Sequence, residues 1–78
     1  MPTILRIGPY RFHFYATDRP EPVHVHVEGN GGSAKFWLQP VRLESSRGLG
    51  RHELSRLAGI VASHREHFMR AWNEYFKG

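Results

Sequence analysis

Cysteine is absent from this 78-residue chain. That excludes disulfides and any thiolate metal centre. No stretch approaches the roughly 18 consecutive apolar residues of a membrane-spanning helix, and no signal-peptide pattern opens the chain. Acid is scarce: seven Asp and Glu stand against eleven Lys and Arg, a net charge of +4 with the six histidines neutral. The expectation is a soluble, cytoplasmic protein of prokaryotic type. Its basic surface suits an anionic partner, either nucleic acid or an acidic protein. Nine of the eleven cations are arginine, whose planar fork fits phosphate and carboxylate. A chain this short buries only about 60% of its unfolded surface, so a partner chain or a tightly packed core has to supply stability.

What is present is alternation. In Glu21-Pro22-Val23-His24-Val25-His26-Val27, successive side chains of a strand point to opposite faces, so the valines share one face and His24 and His26 the other. The same period runs through residues 3–7, 10–15 and 34–38, giving four strands at about 3–7, 10–15, 23–28 and 34–38. Residues 41–43 read as a short fifth strand or a linker, and 45–50 as a connection. Gly8-Pro9 marks a tight turn. The loop at 16–22 contains two prolines that block regular pairing. Gly29 to Ser33 is glycine-rich but lacks the Gly-Lys-Ser/Thr ending of a phosphate loop, so it reads as a hairpin turn.

From about Arg51 to Phe76 the period changes to three and four residues, through Leu54, Leu57, Ala58, Val61, Phe68, Trp72, Tyr75 and Phe76. This predicts one long amphipathic helix over 51–76, with Gly59 the place for a kink. Its stripe is expected to cover the face carrying Phe12, Phe14, Val25, Val27, Phe36 and Leu38. The fold class is α+β: one domain over 1–78, a small antiparallel sheet with a C-terminal helix on one side.

The other face is expected to stay open. Alternation places Arg6, Arg11, His13, Tyr15, His24, His26, Lys35 and Trp37 on it, with no acid among them except Glu28 at the end. Rings and cations interleaved on a sheet suit stacked bases and held phosphates. Arg11 and Lys35 are the candidates for phosphate, Trp37 for stacking, and Arg6 and Tyr15 for further contact. His24, His26 and His13 are the candidate acid–base groups for cleavage at an RNA 2′-hydroxyl. A zinc site would need these three imidazoles to converge around a water position. With no carboxylate or cysteine beside them, no metal and no cofactor are expected. The Pro2 amine, exposed if Met1 were removed, is a further candidate nucleophile or base with nothing else to support it. His52, His64 and His67 belong to the helix surface. A helix-turn-helix would need two short helices at a turn, which a stripe running through Gly59 disfavours.

Four blocks in this order carry a resemblance: Met1 to Phe12, Glu21 to Val27, Ala34 to Leu38, and Ala71-Trp72-Asn73-Glu74-Tyr75-Phe76. Together they resemble the short prokaryotic proteins of the domain of unknown function 4160 family. Val23 stands where that family usually has a second proline, and Gly50 where it often has serine before the helix. The resemblance implies no reaction. It does imply a partner, because members are often encoded beside a second small protein in pairs resembling toxin–antitoxin modules. The expected function is therefore a component of such a pair that engages RNA or another anionic partner through the open face. An RNase toxin that needs no metal is its enzymatic form. The alternative is a non-enzymatic antitoxin, transcriptional regulator or protein-binding module. The expected partners are the cognate small protein of the adjacent gene, RNA, and a second copy in a homodimer or hetero-oligomer, with no membrane.

Overall fold

The computed structural model describes residues 3–77, so Pro2 lies outside the described residues. Five strands form one antiparallel meander in chain order: β1 (Thr3–Ile7), β2 (Tyr10–His13), β3 (His24–Gly29), β4 (Gly32–Leu38) and β5 (Val41–Arg47). Two helices follow, α1 (Arg51–Ser63) and α2 (Arg65–Tyr75).

The alternation of valines and histidines sets the register. Val25 faces Phe36 and Val27 faces Ala34 across β3–β4, while His24 faces Trp37 and His26 faces Lys35. The apolar face is closed by α1 and α2. Phe12, Phe14, Val25, Phe36, Leu38, Leu57, Val61 and Phe68 are fully buried there. The Phe68 ring stacks on Phe12 at 5.5 Å, and Trp72 meets Phe14 edge-on at 5.2 Å. Arg65 Nε donates to the Leu38 carbonyl at 2.6 Å, fixing the start of α2 to the end of β4.

Three expectations need correction. The sheet has five strands, because residues 41–47 pair with β4, with one register shift at Glu44. The helix is two helices rather than one, and the break falls at His64 rather than Gly59. There the backbone leaves the helical region (φ −108°, ψ 17°), and both the His64 N–H and its Nδ1 donate to the Ile60 carbonyl. Gly59 stays inside α1, with Ser63 Oγ donating to its carbonyl. The stripe survives the break because Val61 and Phe68 lie about two helical turns apart. Finally, β2 ends at His13, so that Phe14 and Tyr15 leave the ladder and start the chain back over the face expected to be open.

Candidate functional site

Cross-strand register turns that second face into three rows. The first row is Arg6, Arg11, Glu28, Ser33 and Arg47. The second is Thr3, His13, His26, Lys35 and Ser45. The third is shorter: His24, Trp37 and Arg42. The alternation thus brings Arg6, Arg11, His13, His24, His26, Lys35 and Trp37 together as the sequence implies. Tyr15 joins them from beyond the end of β2, its ring 5.0 Å from His13 and 4.6 Å from His26.

The face is not open throughout. Tyr15 to Pro22 folds back over the second and third rows through a short 3-10 turn, Ala16–Asp18. The Asp18 carboxylate accepts from the Tyr15 amide at 2.8 Å, and the Asp18 amide donates to the Tyr15 carbonyl at 3.0 Å. This local bracket aims the Asp18 side chain at the histidines. His26 Nε2 lies 3.1 and 3.2 Å from its two oxygens. His24 Nε2 lies 3.2 Å from Oδ1, but without the alignment of a hydrogen bond. His24 Nδ1 donates to the Pro22 carbonyl at 2.8 Å, with Glu21 Oε1 a further 3.8 Å contact. Trp37 and Trp72 flank its ring at 5.6 and 5.1 Å.

Burial and charge divide these groups. His24 and His13 are 0% and 1% exposed, whereas His26 is half-buried. His13 stacks on His26 at 5.6 Å, and neither of its ring nitrogens has a hydrogen-bond partner. Burial, aided by the Arg11 charge, pushes the His13 pKa down. Burial also pushes His26 down, against the opposing pull of Asp18. For Asp18 burial acts upward, but the Tyr15 amide, the His26 hydrogen bond and the two nearby imidazoles outweigh it and hold the carboxyl low.

The expectation that the face carries almost no acid fails. Arg11 pairs with Glu28 and also donates to Thr3 Oγ1 at 3.2 Å. Lys35 pairs with Glu21 at 2.5 Å while lying over the Trp37 ring at 4.8 Å. The nearby cations hold both glutamates below their ordinary pKa.

Beside the covered histidines lies a cavity of about 300 Å³. Lys35 and Arg47 line it, with the Ser33 and Ser45 hydroxyls, Glu28, and the rings of His13, His26 and Tyr15. Sequence reasoning missed Arg47, Ser45 and Asp18. The first two belong to the strand read as a connection. Asp18 sits in a loop with no periodicity, six and eight residues before the histidines it meets.

Fold and face define a small five-stranded α+β domain with a histidine–carboxylate cluster beside a cationic cavity. Residues 10–73 match the family described as domain of unknown function (DUF4160), and the chain belongs to that family. No curated protein and no solved structure matches it. Among the described residues no helix is long and apolar enough to cross a membrane.

Proposed function

We propose that this face binds single-stranded RNA, and that the chain acts in the cytoplasm as the RNA-engaging member of a toxin–antitoxin-like pair. The observation that carries the reading is the cavity: Lys35 and Arg47 line a space of about 300 Å³ together with Ser33, Ser45, Ser46 and Glu28, with Trp37 in the row next to that of Lys35. Lys35 and Arg47 would hold phosphate oxygens, with Arg6 and Arg11 extending the track along the first row. Trp37 and Tyr15 offer faces for unpaired bases, which a sheet can stack and a duplex cannot present.

The geometry favours binding over cleavage. His13 and His24 offer no surface to a substrate, and His26 turns its Nε2 to Asp18 rather than to the cavity. The non-enzymatic reading, an antitoxin or regulator, therefore has more support here than an RNase. The partners that fit are the small protein of the adjacent gene and a second copy of the chain, meeting along β5. This edge strand is exposed over most of its length. Light scattering at micromolar concentration should then give a mass near twice the 9.1 kDa of one chain, or that of a mixed complex when the neighbour is co-expressed. A lone monomer in both preparations contradicts this.

Anisotropy of a labelled oligouridylate tests RNA binding. Affinity should fall with salt by a logarithmic slope of roughly −0.7 per phosphate contact. Lys35→Ala with Arg47→Ala should flatten that slope by about two contacts, roughly 1.4. Trp37→Ala should cost about 1–3 kcal/mol. If variants that keep the wild-type circular dichroism bind as the wild type does, the face is not the site.

A further inference from the structure

Asp18, His24 and His26 each place one donor atom within 4.8 Å of the other two. This is more than a crowded hydrogen-bond cluster, because of how His24 is held. A carbonyl oxygen can only accept, so the 2.8 Å contact with Pro22 puts the ring hydrogen on Nδ1. A neutral His24 then presents a lone pair at Nε2. That atom is buried, has no hydrogen-bond partner, and faces a carboxylate oxygen at 3.2 Å. Two acceptors at that distance, away from water, repel each other unless a cation lies between them. A backbone carbonyl that fixes the tautomer of an imidazole is also the usual outer support of a metal-binding histidine.

We propose that Asp18, His24 and His26 form a binding site for a single divalent transition-metal ion of the zinc type. Two imidazoles and one carboxylate are the protein ligands of a zinc site that keeps a position open. At metal–ligand distances of about 2.0–2.2 Å, neighbouring donors of a tetrahedron lie about 3.4 Å apart. The 3.1–3.2 Å separations between the imidazole Nε2 atoms and Asp18 already approach this. Softer, nitrogen-rich donors disfavour magnesium and calcium, which take oxygen. The rings of Tyr15, Trp37 and Trp72 provide the apolar shell that limits water. His13, which sequence spacing grouped with the other two, is not a member: Asp18 takes its place. Of the three ligands only His26 lines the cavity, and its Nε2 turns to Asp18 rather than into it. The metal site stands without the RNA reading.

Titration of metal-stripped protein with zinc tests this by calorimetry, with visible absorption of the cobalt(II) form as a second readout. The expected result is one ion per chain, a raised melting temperature and cobalt bands in the visible. Asp18→Asn and His26→Gln should each weaken binding by at least the 10–100-fold that loss of an outer-shell partner costs. Asp18→Asn keeps an acceptor for the Tyr15 amide, and His26→Gln tests the site if that first variant misfolds. The double variant His52→Ala, His67→Ala removes two exposed surface imidazoles and should bind as the wild type does. Absence of stoichiometric binding overturns the proposal and leaves a proton between His24 and Asp18. Binding that survives in Asp18→Asn and His26→Gln, or is lost with the surface histidines, overturns it too.

Discussion

His13 shows how little a residue's place on a face says about its work. Alternation puts it beside His26, yet it is 1% exposed with both ring nitrogens unpartnered. A buried polar group without a partner carries a desolvation cost of about 1–3 kcal/mol. An apolar side chain of similar size removes that cost, so His13→Leu should leave stability unchanged or raise it by about 1 kcal/mol. Urea unfolding at pH 7 measures this, and a loss above about 2 kcal/mol would contradict it. The contrast with His24 is instructive: equally buried, it is tied at Nδ1 and aimed at a carboxylate. The alternating period showed which face each histidine shares. It did not show which were covered, because Asp18 reaches them through a turn whose only signal is the Tyr15–Asp18 bracket. A loop carboxylate with no period leaves no pattern to extrapolate.

At the scale of elements, polar contacts place α1 on the two hairpins. The Glu53 carboxylate, in its first turn, accepts from the Tyr10 hydroxyl at the start of β2 and from Asn30 Nδ2 in the β3–β4 turn at 2.5 Å. The Asn30 and Tyr10 hydrogen bonds, with help from the Arg56 charge, hold the Glu53 pKa below its ordinary 4.5. The same contact pushes Tyr10 up. A carboxyl with a depressed folded pKa stabilises the protein fully above the unfolded value and loses that contribution as pH falls through the folded one. The melting temperature of the wild type should therefore drop relative to Glu53→Gln as pH falls below about 4.5, and the two curves should run parallel above it. Curves that stay parallel down to pH 3 contradict the contact. Elements were legible where alternation or a helical period is sustained: β1 to β4 and the helical stripe. β5 was not, since Val41 and Leu43 are the only apolar residues of an edge strand whose outward groups are polar. The helix break was missed because glycine drew attention to position 59. The interruption falls instead at His64, where the backbone turns to φ −108°, ψ 17° and the imidazole bonds the Ile60 carbonyl.

As a whole, the molecule gives one sheet face to its core and sets histidines, arginines and Lys35 on the other. A fully buried set led by Phe12, Phe36 and Phe68 holds the first. For 78 residues the expected stability is only about 4–12 kcal/mol, so one face must do nearly all the stabilising while the other can carry charges and imidazoles at some cost. The fold class was legible from two periods in succession, and so was the part of the second face that β1 to β4 carry. Its closure by residues 15–22 and the cavity against β5 required the folded chain. The most direct test of the binding claim is a titration of oligouridylate into ¹⁵N-labelled protein, followed through amide shifts. The expected result is that shifts concentrate on Ser33, Lys35, Trp37, Ser45 and Arg47, and leave the helices in place. Shifts confined to α1 and α2, or none at micromolar RNA in low salt, would contradict the account.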